Sequence, residues 1–447
     1  MLFAPVQLGL IAFITVMGLA VAYWLQISLG LGFILGLFAL VFFTLRAGIG
    51  ARTILHSMMK GIKHTKEVMW ILVLVGLLIP SWTASGTIPY LIDTGLSVLN
   101  PSYFLTLSFL FAAIISMVLG TSSGTLSSVG IPLIGVGAVL QIPLPLLAGA
   151  LVSGAFVGDR TSPFSSAHQL VAASTGTTVR KQFTSMLPTT LGAAALATVY
   201  FYVFDLNGEW HERHDAIVTG EHYAAGYSYS LWLLLPVLIL LGSILFRVKT
   251  RYGFLLSIAA GIALGSAMQG ISLPEWLEYL WSGYDSSFFT SLHTKGLSSM
   301  VDLIILIGLA GAYNGILEET GVLQPYMLKI MGESPTLFSA TVRAACFGLG
   351  LGLVSCTQTL PIMMTGRNLL PFWEVRFHRE QLSRVVADTS LVFAAMIPWN
   401  MLAILCGAII GVPVGQYVAF APFLWSLPLL TVGMSCLAGK KGEVRSV

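Results

Sequence analysis

The chain has 447 residues, of which 56% are hydrophobic and 9% charged, with a mean hydropathy of +0.87. An ordinary soluble domain carries roughly 25% charged residues, so this composition excludes a soluble globular protein and describes one that crosses a membrane repeatedly. The formal net charge of +3 is too small to draw a nucleic acid.

Each crossing needs about 20 apolar residues. In chain order the candidate spans fall near 6–24, 29–46, 67–98 (interrupted), 102–120, 129–158 (interrupted), 184–204, 229–246, 252–270, 301–332 (interrupted), 335–354, 385–410 and 416–436. Met1–Leu10 holds no Lys or Arg, so the first apolar run reads as a retained helix and not as a signal peptide. The expected fold is an all-α polytopic membrane protein with about 11–13 transmembrane segments. Cys346, Cys356, Cys406 and Cys436 lie in apolar segments without metal-ligand spacing, and read as small core hydrophobes.

Lys and Arg in short loops set the orientation. The 46–66 loop has Arg46, Arg52, Lys60, Lys63 and Lys66. Further basic patches are Arg180–Lys181, Arg247 with Lys249 and Arg251, and the stretch 367–384 with its four arginines. By contrast, 205–228 holds Asp205, Glu209, Glu212, Asp215 and Glu221 against Arg213, and 271–299 holds Glu275, Glu278 and Asp285. Basic patches inside and acidic loops outside give one consistent threading, with both termini cytoplasmic. His211, His214 and His222 share the acidic outer loop without a metal motif, and read as solvated.

Two stretches align at an offset of about 234 residues. Ser85–Ile92 faces Thr320–Leu328, Asn100 onward faces Ser334 onward, and "GTSSGTL" at Gly120–Leu126 faces "VSCTQTL" at Val354–Leu360. The matched loops carry opposite charge, which is the pattern of inverted repeats in secondary transporters, whose substrates sit between repeats near the midplane. The chain is therefore divided into a first repeat (1–204), an extracytoplasmic polar loop (205–228) and a second repeat (229–447).

Polar residues interrupt the spans at matching places. A cluster of hydroxyls at Thr121, Ser122, Ser123, Thr125, Ser127 and Ser128, and a second around Thr357 and Gln358, fit unwound segments whose oxygens coordinate a cation. Any one of them alone reads as a hydroxyl bonded back to its own helix. Asp159 and Asp388 fall at an offset of 229, one carboxylate per repeat. Intramembrane carboxylates usually face a cavity, an ion or a partner. The bland alternatives are an ion pair with Arg160 or a cap for Asp159, and a cap or an Arg384 pair at i, i+4 for Asp388. His168, Arg343 and Glu318 are candidates for substrate contact or pH sensing. Asn314 and Glu319 flank the interruption in "YNGILEETG", and Asn400 follows Pro398 and Trp399 in another.

"GTSSGTLSSVGIPLIGVG", "LVSGAFVGDRTSPFSS", "SCTQTLPIMMTGR" and "LSRVVADTSLVFAAMIPWN" together resemble the NhaC-type sodium/proton antiporters, from about Leu74 to Pro422. The resemblance implies a bacterial inner-membrane antiporter moving protons inward and sodium outward. Relatives in the same superfamily exchange malate for lactate or carry other small organic solutes. It makes Asp159 the Asp of the family's Gly-Asp-Lys-x-Ser-Pro stretch, with Ser162 and Pro163 in register. Asp388 becomes its second-half Asp, and Asn400 the Asn of its Pro-Trp-Asn. One departure stands out: Ser165, Ser166, Ala167, His168 and Gln169 occupy the place of Ser-Asp-Thr-Thr-Asn, so an acidic group is missing, and Arg160 replaces a Lys.

The expected activity is Na+/H+ antiport. Asp159 and Asp388 would bind Na+ or protons, and Thr121, Ser123, Thr125, Ser162, Thr357, Gln358 and Asn400 would furnish neutral oxygens. The alternative is an exchanger of organic anions or amino acids coupled to Na+ or H+, with Arg343 and His168 holding a carboxylate. No H-E-x-x-H or Walker motif is present, so the chain reads as a transporter and not an enzyme. Its expected partners are the bilayer and the transported Na+ and H+, with a homodimer as a common arrangement for such proteins and no cofactor.

Overall fold

The computed structural model describes residues 5–98, 101–208, 227–228, 230–246, 248–284, 294–320 and 336–439. Among these residues every regular element is a helix. In order they are α1 (Pro5–Trp24), α2 (Leu29–Arg46), α3 (Ala51–Ala84), α4 (Thr87–Val98), α5 (Phe104–Leu119), α6 (Ser122–Thr125), α7 (Ile131–Val139), α8 (Leu144–Thr161), α9 (Ser166–Ser174) and α10 (Val179–Asn207). There follow α11 (Leu235–Leu245), α12 (Thr250–Met268), α13 (Leu273–Ser282), α14 (Val301–Thr320), α15 (Leu337–Ser355), α16 (Thr359–Trp373), α17 (Arg379–Asp388), α18 (Ser390–Phe393), α19 (Met401–Ile410), α20 (Val414–Tyr417) and α21 (Pro422–Gly439). Among the described residues eight helical segments are long and apolar enough to cross a membrane, and α19 with Val414–Phe420, bent by 83°, forms a broken ninth. Three shorter apolar helices, α5, Leu231–Leu245 and Pro422–Leu437, accompany them. A membrane protein is thus what the composition demanded and what the helices supply.

The outer helices show lipid-facing stripes. On α2, Leu31, Leu35, Phe38 and Phe42 are exposed at helical spacing, while Gly32 on the other face meets Gly18 of α1 backbone to backbone. On α8, by contrast, every residue from Leu146 to Thr161 is buried, which makes it the central helix. Helix α3 packs on α14 through Gly61 and Gly315, where a methyl group would collide with the facing backbone, and through Gly311, where it would meet the Thr65 side chain. Small residues of this kind let membrane helices approach closely.

Two sequence expectations are corrected here. The basic 46–66 stretch is not a loop: α3 starts at Ala51 and runs 34 residues, about 50 Å, so its first turns stand outside the hydrocarbon as helix. Asp205 is not a free loop charge. It ends α10 and accepts the N–H groups of Leu105 (3.0 Å) and Thr106 (2.9 Å) and the Thr106 hydroxyl (2.7 Å), capping α5. Charge explains neither position; unpaired N–H groups at a helix start explain the second. Asp285, the acidic residues 209–221, the three loop histidines, Arg247 and the 321–335 part of the repeat alignment lie outside the described residues.

Several residues of the basic patches are paired with acids. Arg251 pairs with Glu67 (3.7 Å), Lys60 with Glu319 (2.7 Å) and Lys181 with Glu380 (3.5 Å). Gln269 meanwhile bonds Ser85 and Ser228. On α13, which spans no membrane, the Ser272 hydroxyl and N–H bond Glu275 and hold its carboxyl below the usual carboxylate range.

Candidate functional site

The site begins with the contact of α5 and α8. Gly154 and Gly158 lie against the backbone of Phe109 and Ser116, with no room for a side chain. Ser116 Oγ donates to the Ala155 carbonyl and accepts the Gly158 N–H (2.9 Å), and Ser162 Oγ donates to the Met117 carbonyl (2.8 Å). The end of α8 is thereby fixed to the end of α5. There α5 stops, because Gly120 takes a left-handed conformation (φ +69°), which costs glycine little. Thr121 is extended (φ −143°, ψ 133°) and the helix restarts at Ser122. The Ser122 N–H and hydroxyl face the carboxylate of Asp159. This run also has G-x-S-x-G spacing, but a helix leads into it and its serine faces a carboxylate, not a histidine.

A second break meets the first. Helix α15 ends at Cys356, again left-handed (φ +56°), and the chain resumes as α16 after Thr357 and Gln358. Gln358 stands between Asp159 and the Leu391 carbonyl (3.3 Å). The Cys356 carbonyl accepts the Met401 N–H (2.9 Å), joining this break to a third at 394–400. That third break is held by Trp399 Nε1 on the Leu353 carbonyl (2.9 Å) and by the Tyr417 hydroxyl on the Ala395 carbonyl (3.1 Å). Asn400 caps α19 through the Leu402 N–H (3.1 Å), and its Nδ2 has no partner among the described residues. Cys406, further along α19, faces Ser122 and Asp159.

Asp159 is therefore a carboxylate 7% exposed, at the junction of three interrupted helices, with Oδ2 lacking a hydrogen-bond partner among the described residues. A buried carboxylate without a counter-charge is expensive. Ser122 and Gln358 lie against this carboxylate, and Asn400 caps the helix that starts at the third break.

Asp388 is differently placed. Its carboxylate forms a buried ion pair with Arg160, while Arg160 also donates to Thr189 (3.0 Å) and Thr190 (2.5 Å) of α10. Neither alternative read from the sequence, Arg160 with Asp159 or Arg384 with Asp388, is the pair observed. Two equivalent carboxylates sharing one ion do not describe this arrangement, because one already holds a guanidinium.

His168 is fully buried and its ring contacts the carbonyls of Arg160 (2.7 Å) and Val179 (3.4 Å) and the amide of Gln182 (3.0 Å). With Ser165 Oγ on the Asp159 carbonyl (2.5 Å), it ties α9 to the end of α8. His168 and Ser165 thus serve to position the backbone of Arg160 and Asp159. Thr125 bonds back to Thr121 (2.8 Å) and Ser127 to Ser123 (2.8 Å). Thr121, Ser123 and Thr357 are half-buried beside the breaks. Arg343 precedes the α15 break by 13 residues, about 20 Å along the helix, and Glu318 is exposed near the end of α14; neither joins the site. Asn314 is buried in α14 with no partner for either amide atom among the described residues. Cys406, read from the sequence as a core hydrophobe, does join it; no residue pattern signalled that.

Helices broken around a buried acid, in a chain of many membrane crossings, define an ion-coupled membrane transporter. Residues 154–438 match the model of the Na+/H+ antiporter family, and the chain belongs to that family. It is 27% identical to the Na+/H+ antiporter NhaC of Bacillus subtilis, covering 96% of each chain. It is 28% identical to an uncharacterized Na+/H+ antiporter of Haemophilus influenzae, covering 83% of each. It is also 25% identical to the malate-2H+/Na+-lactate antiporter of Bacillus subtilis, covering 95% of this chain and 92% of that one.

Proposed function

We propose that this protein exchanges cytoplasmic sodium for external protons by alternating access, and that Asp159 is the group for which the two ions compete. The observation that carries the reading is the Asp159 carboxylate, buried where three breaks meet and without a counter-charge among the described residues. Protonated, it has no charge with which to hold Na+; ionised, it anchors the cation while Ser122, Gln358 and Asn400 complete the shell. Thr121, Ser123 and Thr357 stand close enough in sequence to contribute carbonyl or hydroxyl oxygens as the breaks move. The left-handed residues Gly120 and Cys356, each ending a helix just before a polar turn, support two related repeats, and the charge inversion of their loops supports opposite orientation in a bacterial inner membrane with both termini inside.

The test is reconstitution in liposomes with an internal pH dye and addition of Na+, Li+ or K+ outside. A cation-specific pH change is expected in the wild type and not in Asp159→Asn, with both proteins monodisperse in detergent. Exchange at the wild-type rate in Asp159→Asn sinks the assignment of that residue. A wild type that is folded but silent to all three cations, yet responds when malate or lactate is supplied, selects the organic-anion reading that the malate-lactate relative supports.

A further inference from the structure

Beside the cation site lies a second group of buried charges. Arg160, Asp388 and Arg384 come together where α8, α10 and α17 meet. Arg160 and Asp388 are fully buried and Arg384 is 9% exposed. Arg160 is paired with Asp388, but Arg384 makes no ion pair among the described residues; the charges acting on it are Asp388 and the like-charged Arg160. The Nε atoms of both arginines and Oδ2 of Asp388 lack hydrogen-bond partners among the described residues. The cluster therefore has two guanidiniums to one carboxylate, and Asp159 faces away toward Ser122 and Gln358. An excess buried charge costs several kcal/mol unless something pairs with it.

A cleft lies on two of these helices, α10 and α17. A polar cleft of about 630 Å³ opens between the starts of α10 and α17, lined by Thr177, Thr178, Lys181, His378, Arg379 and Glu380 among others. Its rim charges are mutually paired, Lys181 with Glu380 and Arg379 with Glu374. Arg384 lies one turn beyond Glu380 on α17, about 6 Å along the axis. Unlike Lys181 and Arg379 of the rim, Arg384 makes no ion pair among the described residues.

We propose that Arg384, with Arg160 behind it, binds a small carboxylate anion that enters through this cleft. The planar fork of a guanidinium matches a carboxylate with two parallel hydrogen bonds, and Asp388 on Arg160 is the same pairing made within the chain. The site is distinct from Asp159 and does not depend on sodium transport.

The experiment is thermal unfolding of the full chain in detergent, followed by tryptophan fluorescence, with sodium lactate or malate titrated against sodium chloride and sulfate at matched Na+ and ionic strength. Saturating carboxylate is expected to raise the wild-type melting temperature by about 2 °C or more, with no matching rise for chloride or sulfate. Arg384→Gln removes the rise, Arg384→Lys weakens the apparent affinity about tenfold because the fork is lost, and Asp159→Asn retains it. If Arg384→Gln does not fold, the Lys variant carries the comparison. An equal rise with chloride overturns the carboxylate class, a rise retained in both Arg384 variants overturns the location, and no rise in the wild type overturns the site altogether.

Discussion

Arg160 and Asp388 stand 228 residues apart in the chain and form the most deeply buried ion pair among the described residues. Sequence spacing pointed instead to Arg384 with Asp388, since i and i+4 share a helix face, whereas a contact across two halves of the molecule leaves no local trace. Removing one partner strands a buried charge, so Arg160→Ala or Asp388→Ala is expected to destabilise the protein by about 3–5 kcal/mol, and the double replacement Arg160→Met with Asp388→Leu to recover much of that loss. Melting temperatures of the three variants check this; single losses that simply add in the double variant contradict the pair. Gln358 tests the other carboxylate. Its amide supplies one neutral group beside Asp159, and Gln358→Ala should raise the half-saturating Na+ concentration about tenfold, the effect of one lost hydrogen bond or ligand, without abolishing exchange. An unchanged Na+ dependence in the liposome assay removes Gln358 from the site.

At the scale of elements, the breaks decide the geometry, and they were unequally legible. The first announced itself through Gly120 and a run of hydroxyls, because glycine and serine mark places where a helix is easily left. The second gave hydroxyls and an amide but no residue that favours a left-handed backbone; Cys356 adopts one because the Met401 N–H and the flanking helices hold it there. A left-handed conformation costs a non-glycine residue about 1–2 kcal/mol, so Cys356→Gly is expected to raise stability by about 1 kcal/mol while exchange persists. Lower stability in a denaturation series shows that Cys356 contributes packing worth more than the strain. The α5–α8 contact gives the opposite prediction. A side chain at Gly158 has only the Ser116 backbone and hydroxyl to meet, so Gly158→Val should push α8 off α5, move Asp159 from Ser122, and lose both exchange and melting temperature. The sequence carried a signal of this close packing in the G-x-x-x-G spacing of Gly154 and Gly158, which hydropathy and charge do not register. The start of α3 was missed for a related reason: charged residues on a helix outside the hydrocarbon look like a loop to any reading based on hydropathy alone.

For the molecule as a whole, the number of free carboxylates fixes the charge that moves in one cycle. The acid that the resemblance places after Ser165 is replaced by Ser166–Gln169 in this chain, and Asp388 is engaged by Arg160. Among the buried carboxylates of the described residues, Asp159 is the one left to trade a proton for a cation, so one proton should enter for each sodium ion that leaves, and no net charge should cross the membrane. A cycle moving one uncompensated charge feels about 2.3 kcal/mol per 100 mV, which at equilibrium multiplies the sodium ratio by roughly fiftyfold. An electroneutral cycle feels nothing. In liposomes whose potential is set by a potassium gradient and valinomycin, the sodium and proton gradients at which net flux reverses should therefore coincide at zero and at −100 mV. A reversal point displaced toward the fiftyfold value means that a second proton travels with each cycle, and Asp388, released from Arg160 in some other state of the protein, is then the residue that carries it; Asp388→Asn in the same vesicles should return the reversal point to its electroneutral position.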